Sequence, residues 1–396
     1  MVLSFVITIT GKLNGMNKLI HDKCIAIVGG GPGGLTLARI LQMNGADVTV
    51  YERDANSLAR AKGATLDLHG ESGLRALRKA GLMNEFMANY RPGADKLRIM
   101  DKNGSIVFDD DTNGRGGEGR PEIDRGPLQQ ILLDSLKPGT VVWDSKFVSL
   151  SQQNGACKLD FENGSSAYAD IVIAADGANS KLRPYITPVK PFYAGITVVE
   201  GAVYNSAAAI PKMHELLNGG KIFAMGDAKS LIVSSKGDGS LVFYTSFNCS
   251  EDWVKTSGIS FADKAQVLAW FKQYYTGWDT IWFELFENAG DNFIPRPQYC
   301  MPFNQTWETL PNITMLGDAA HLMPPFAGEG VNMAMLDALE LGLCLINDDF
   351  DDVPSAITAY ETEMRARAAA TAEQTMEATA ALHTEGAIEY MIGVIS

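Results

Sequence analysis

The residues best placed to do chemistry lie in three stretches rich in glycine and carboxylate, and none forms a nucleophile triad or a metal set. In the first, Gly29-Gly30-Gly31-Pro32-Gly33-Gly34 places Gly29, Gly31 and Gly34 in a GxGxxG pattern, and Glu52 follows eighteen residues after Gly34. Such glycines permit a tight turn and close approach of a pyrophosphate. The next helix offers unpaired N–H groups, and an acid closing the next strand accepts from ribose hydroxyls. A dinucleotide is implied, with FAD and NAD not separated by this motif alone. The second stretch, ADIVIAADGANSKLR, sets Asp176, Gly177, Ser180 and Arg183 after an apolar strand, and the third, NITMLGDAAHLMPPFAGEGVN, sets Gly317 and Asp318 after another. A carboxylate at that strand end, Asp318, can accept from the hydroxyls of a polyol chain. The run Pro324 to Gly330 is stiff and then free of side chains, which suits a wall for a flat ring. A helix N-terminus behind it stabilises negative charge by up to about 2 kcal/mol when partly buried. A second, well-separated set of cofactor motifs favours flavin.

Other residue types exclude more than they offer. The five histidines (His21, His69, His214, His321, His383) form no triad or metal spacing, and His321 in GDAAH reads as packing beside a cofactor. Neither a metal nor a catalytic side chain is indicated. Cys24, Cys157, Cys249, Cys300 and Cys344 are scattered singly and read as reduced, which implies a cytoplasmic protein. With 33 basic against 47 acidic residues the net charge is -14, which repels phosphate backbones and anionic lipid. Nucleic acid and membrane are therefore not expected partners. A mean hydropathy of -0.03 and the lack of an apolar run near 18 residues argue against a membrane span. The expected partners are a small molecule and O2, and the expected state is a monomer.

The elements that must position these residues alternate. From Cys24 the pattern is strand (CIAIV), glycine turn, helix (LTLARILQMNG) and strand (DVTVYE), a βαβ unit that begins a parallel sheet. A hairpin is expected around Asn103-Gly104, and a helix opening at Pro127. Strands return between Thr140 and Asp176, with Asn154-Gly155 and Asn163-Gly164 as turns. Residues 187–296 change to many short β-like runs and one amphipathic helix around Asp263 to Tyr275. The fold class is thus α/β: a Rossmann-like FAD/NAD(P)-binding domain (23–186 and 297–350) interrupted by a β-sheet substrate domain (187–296). Residues 1–22 read as an N-terminal tail, and 351–396 as a long C-terminal helical segment whose methionines (Met364, Met376, Met391) belong to the core.

In this order and spacing the three motifs resemble those of the FAD-dependent aromatic hydroxylases, the single-component flavoprotein monooxygenases. The resemblance covers about residues 22 to 350. Within that family YERD, GATLDLHGESG, PEIDRGPLQQILLDSL, VVWDSK and TMLGDAAHLMPPFAGEGVN look like the tetracycline destructases. The resemblance implies FAD, with NADPH as reductant, and transfer of one oxygen through a flavin 4a-hydroperoxide to a phenolic or enolic carbon. It implies cofactor contacts from Arg53 near the adenine and ribose, Arg125 near the ribityl and phosphate, Asp67 near the ring, and Arg60 toward NADPH. The third motif adds Pro325, Gly328, Gly330, Val331 and Asn332, with Glu329 standing where the family usually has Gln. The substrate would lie against Pro324, Phe326 and Gly328 and the second domain, where Glu200, Lys221 and Val242 stand in for the destructases' glutamine, arginine and histidine. A valine there lacks both ring nitrogens, and losing a buried hydrogen-bond partner costs roughly 1–3 kcal/mol. That substitution weighs against tetracycline and toward another aromatic, phenolic or quinoline-like compound. An NAD-dependent dehydrogenase and a non-catalytic flavin or ligand binder are the rival classes.

Overall fold

The computed structural model describes residues 19–57, 59, 65–110, 120–153 and 155–395 of the chain. Most of the expected tail, Arg60 and Asn154 lie outside the described residues. Leu19 and Ile20, at the end of that tail, are buried in the first core. The helices used below are α1 (Pro32–Met43), α2 (Gly73–Ala80), α3 (Arg125–Asp134), α4 (Lys264–Tyr274), α5 (Gly330–Ile346), α6 (Val353–Ala381) and α7 (Ala387–Ile395).

A five-stranded sheet, every neighbour pair parallel, runs in the order Ile313–Met315, Ile171–Ala174, Cys24–Val28, Asp47–Tyr51 and Val141–Val142. Apart from Cys24 the strands Cys24–Val28 and Ile171–Ala174 are wholly buried, the pattern of parallel strands covered on both faces. Helices α1 and α5 pack against each other beside it, and α6 packs on α5. All three glycine-carboxylate stretches begin at C-terminal ends of neighbouring strands in this sheet, where ligands of open α/β sheets collect. Helix α3 starts at Arg125, two residues before the expected Pro127, which sits within the first turn where its missing N–H still costs nothing.

The second sheet has seven strands, in the order Ile294–Cys300, Phe192–Val203, Leu241–Asn248, Lys229–Ser235, Lys221–Gly226, Leu97–Asp101 and Ile106–Asp109. The Asn103-Gly104 hairpin, expected within 23–186, is thus an edge of this sheet. Leu97–Asp101 pairs in parallel with Lys221–Gly226, because its buried Ile99 and Met100 need the apolar faces that this sheet provides. One face holds a core of Val199, Phe243, Ile222 and Leu231 under α4 and its aromatic neighbours. The other face packs Ile99, Phe223 and Met225 against α7 and Phe326.

Helix α6 has 29 residues, opens with a capping box between Asp352 and Ser355, and buries a stripe from Ala356 through Met364 to Thr379. Buried polar groups tie it to the first sheet. Glu361 accepts from Thr314 Oγ1 at 2.8 Å, Thr309 Oγ1 at 2.8 Å and Trp307 Nε1 at 3.0 Å. Arg367 Nη2 donates to Asp337 Oδ1 at 2.8 Å, and Asp337 Oδ2 accepts from His321 Nε2 and, at 2.9 Å, from the Gly317 amide. The Gly317 backbone, at φ 58 and ψ -145, is open to glycine alone, so the third motif's turn is held from two helices.

Burial alone would push the His321 pKa down, but the charge and hydrogen bond of Asp337 outweigh it and the value rises. Burial would raise Asp337, and His321, Arg367 and the Gly317 amide outweigh it and lower the value. The raised His321 contributes stability that is complete below the ordinary histidine value of 6.5 and lost as pH rises through its folded value. The depressed Asp337 contributes stability that is complete above 3.8 and lost as pH falls through its own folded value. Melting temperature should therefore decline as pH climbs above neutrality, and His321→Gln, which can still donate to Asp337 without charge, should decline less; parallel melting curves for the two proteins would refute this.

Removing the Glu361 carboxylate leaves the buried Thr314 hydroxyl and two half-buried donors, Thr309 and Trp307, unpaired. Glu361→Ala should lower stability by about 3 kcal/mol in denaturant unfolding; a loss under about 1 kcal/mol would show that the helix is not anchored there.

Candidate functional site

The first motif folds as a turn between strand and helix. Gly29 sits at φ 115, and a Cβ there would fall 2.2 Å from the Ala175 carbonyl oxygen, so this turn and the second motif touch backbone to backbone. Glu52, expected to face ribose hydroxyls, is 3% exposed and braces the turn: its Oε2 accepts from the Gly30 amide at 2.6 Å and its Oε1 from the Asp54 amide at 3.0 Å. Helix α1 starts here with no side-chain cap and no acid in its first turn, and α5 starts the same way behind the Pro324–Gly330 run. Both therefore keep unsatisfied N–H groups and positive potential for an outside anion.

The second and third motifs are stapled by Arg183. This 6% exposed guanidinium donates from Nε to the Ala319 carbonyl at 2.7 Å and from Nη2 to the Asp318 and Ala178 carbonyls at 2.8 and 3.1 Å. Asp176 accepts from the Lys181 amide through Oδ2 at 2.7 Å, while its Oδ1 is buried without a protein partner. No described side chain or amide hydrogen-bonds the Asp318 carboxylate, whose pKa burial pushes up against the charges of His321, Arg125 and Arg183. An orphaned carboxylate oxygen, a second carboxylate awaiting donors and two uncapped helix starts fit a dinucleotide with hydroxyl-bearing chains. Arg125, exposed at the start of α3, is close enough to act on Asp318. Arg53 is more than half exposed, and its nearest acid, Asp54, lies 3.9 Å away.

Pro324 is buried, Pro325 is exposed, and Gly328 at φ 73 closes the short helical turn between them and α5. Asp67, on the strand Leu66–Asp67, lies against this wall: a Cβ on Gly328 would meet both of its carboxylate oxygens at 3.4 Å. Burial opposes the Asp67 charge, but the hydrogen bond of His69 and the charge of Lys221 outweigh it and hold the pKa down. Asn332 is fully spent on the protein. Its Oδ1 accepts from the His69 amide at 2.9 Å and its Nδ2 donates to the Asp67 carbonyl at 2.9 Å, so its side chain locks the wall to α5. Val331, half-buried, precedes it in the first turn.

Across from the wall, cross-strand register puts Glu200, Tyr244, Ile232 and Phe223 in one row, and Val242, Ser234 and Lys221 in the next but one. The alternation of a strand places both rows on the face whose Phe223 packs with Phe326, so the three expected substrate residues do share the face turned to the wall. Two of them are not unpaired there. Arg296 Nε donates to Glu200 Oε2 at 2.7 Å, and Lys221 Nζ is ion-paired with the 3% exposed Glu122. The reason is energetic, since a charge shut away from water needs an opposite one. Burial pushes the Glu122 pKa up, with Lys221 opposing.

Spacing along the chain did not reveal His69, Glu122 or His383. His383, beyond the end of α6, must donate through Nδ1 to the Thr379 carbonyl at 2.6 Å, which leaves Nε2 to accept from Ser246 Oγ at 2.8 Å. Burial lowers its pKa, and its ring meets Phe326 edge-on with centroids 5.2 Å apart. The one legible signal was for His69, two residues from Asp67 at a strand end. Among the described residues no group of His, Cys, Asp and Glu is arranged to hold a metal ion, and no helix is long and apolar enough to cross a membrane.

Known proteins share this architecture. The monooxygenase asqM of Emericella nidulans is 30% identical over 372 residues, spanning 81% of this chain and 83% of that protein. HpxO of Klebsiella pneumoniae, solved with FAD and uric acid, superposes with a TM-score of 0.75 at 22% identity, covering 94% of this chain and 92% of that one. The tetracycline destructase Tet(55) superposes with a TM-score of 0.74 at 19% identity, covering 95% of each chain; at such identities these two likenesses concern the fold. The model of the FAD binding domain family matches residues 22–192 and 311–375, the segments that carry all three motifs. With that match and a monooxygenase relative along most of its length, the chain belongs to the FAD binding domain family and is an FAD-dependent monooxygenase.

Proposed function

We propose that the protein hydroxylates a neutral phenolic or enolic polycyclic compound, with NADPH as reductant and O2 as co-substrate, in the space between the Pro324–Gly330 wall and the Glu200–Lys221 face of the seven-stranded sheet. Bound FAD supplies electron acceptance from a hydride donor and activation of dioxygen. The chain's own residues bind, orient and shield. Gly29, Gly31 and Gly34 with the start of α1 take the pyrophosphate, and Glu52 and Arg53 flank the adenosine end. Asp176, Gly177, Asp318 and Arg125 take the middle of the cofactor. Asp67, Pro325, Gly328, Gly330, Val331 and Asn332 border the ring, where the α5 N-terminus favours negative charge. Pro324, Phe326 and Gly328 exclude water on one side of the substrate.

The observation that carries the substrate class is the pairing of both expected polar contacts, Glu200 with Arg296 and Lys221 with Glu122. A substrate carboxylate would have to compete with Glu122 for Lys221, whereas a neutral compound can bond to the pairs as they stand. The same pairing, with Val242 on that face, counts against tetracycline, for which the motif resemblance speaks. Five free cysteines are in keeping with action in the cytoplasm, and action as a monomer is part of this reading.

Gly31 and Gly34 separate binding from folding. A Cβ on Gly31 meets nothing within 4 Å, whereas one on Gly34 would fall 2.2 Å from the Gly29 carbonyl oxygen. Gly31→Ala should melt like the wild type yet bind FAD about tenfold more weakly or worse, a loss of ~1.4 kcal/mol, and Gly34→Ala should lose folded yield. Unchanged FAD affinity in Gly31→Ala, by titration of flavin fluorescence, would remove the pyrophosphate from this turn.

For the substrate, the purified holoprotein is incubated with NADPH and air over a panel of neutral phenols and quinolines, their carboxylated analogues and tetracyclines, and products are read by mass spectrometry. A one-oxygen gain confined to neutral members is expected. Turnover of the carboxylates instead would overturn the neutral reading, and oxygen gain on a tetracycline would establish the narrower activity.

A further inference from the structure

His69 belongs to none of the three motifs, yet it is built into the wall. It is 3% exposed, with Nε2 3.1 Å from Asp67 Oδ2 and Nδ1 3.4 Å from Glu329 Oε1 and 3.9 Å from Glu71 Oε1. The Glu71 side chain is 81% exposed, so one side of the ring leads to Asp67 against Gly328 and the other to solvent. Asn332 fixes the arrangement by accepting from the His69 amide and donating to the Asp67 carbonyl. Arg120 lies 3.9 Å from Asp67, and Lys221 acts on Asp67 from the sheet. A protonated imidazole can donate to carboxylates on both sides, whereas a neutral one can serve only one. The imidazole is therefore a proton acceptor with an inner carboxylate, an outer carboxylate and a solvent-facing exit. Glu329 supplies one of its acids.

We propose that His69 is a redox-linked proton site: it takes a proton from solvent by way of Glu71 as negative charge builds at the ring lodged against Gly328, and so sets the pH dependence of the cofactor's reduction potential. It is a positioning residue that acts through Asp67 and Glu329, and the proposal rests on the reading of Pro324–Gly330 as the flavin wall. Two electrons and one proton reach the cofactor together as hydride from the nicotinamide donor, or, in the experiment, as two electrons from dithionite and one proton from water. A further proton comes from water and ends on an imidazole nitrogen, and His69 makes or breaks no bond to carbon.

The test is the midpoint potential of FAD in the reconstituted full chain, by dye equilibration from about pH 5 to about pH 9. His69→Gln should fall below the wild type at the acidic end and meet it at the alkaline end, because only the wild type gains a cation there. Glu329→Gln, which removes one acid from the imidazole, should move the wild-type break to lower pH. If His69→Gln fails to fold, the Glu329→Gln shift decides alone. Curves for both variants that run parallel to the wild type overturn the proposal while leaving the flavin wall intact. A wild-type chain that retains no FAD overturns the wall and this proposal together.

Discussion

A guanidinium does not give up its proton, so once buried it must find acceptors, and Arg183 finds them in the backbone of two different motifs. Its bonds to the Ala178, Asp318 and Ala319 carbonyls bring the strand end at Asp176 and the strand end at Asp318 to one place. The remaining geometry depends on that closure. With the two strand ends joined, the Gly29 turn packs backbone to backbone on Ala175, and α1 and α5 start beside each other with their amides unspent. A pyrophosphate, a polyol and an electron-rich ring edge are what such a set of donors and acceptors recognises.

The same requirement, that charge withdrawn from water be matched, organises the surroundings. Asp337 gathers His321, Arg367 and the Gly317 amide, so the turn carrying Asp318 is held by α5 and α6 together. Glu361 fixes α6 to the strand Ile313–Met315 through Thr314. These bonds join different elements and lie behind the proposed cofactor site, where they hold backbone in place. The division of labour suits an enzyme whose cofactor does the difficult chemistry and whose protein mainly sets position, water exclusion and local charge.

On the substrate side the matching of charge changes what the sequence suggests. Glu200 and Lys221 read as available polar contacts, and in the fold each has an opposite charge from another strand, Arg296 and Glu122. Lys221 and Glu122 are about a hundred residues apart. They meet because Glu122–Ile123 pairs with Leu66–Asp67 and so brings Glu122 beside Asp67 at the edge of the sheet face. The proposed substrate space, edged by neutralised pairs, would select differently from one edged by a bare lysine.

Much of this was legible before any coordinates. Continuous apolar runs ending in glycine and acid mark parallel strands and their ligand-facing ends, because periodicity and turn chemistry are local properties. The glycine turn, the interrupted α/β order and the C-terminal helix all followed from such runs. The helix start at Arg125 and the membership of Leu97–Asp109 in the second sheet did not, since a cap and a strand's partners depend on what packs alongside. The roles of His69, Glu122 and His383 were equally hidden. Each gets its meaning from a partner on another element, Glu329, Lys221 and Ser246 respectively, and no spacing rule within a segment reports a contact between segments. The chain alone determined which cofactor the family motifs call for; tertiary structure decided which charges beside it are paired, because pairing is set by distance in space and by the burial that makes it necessary.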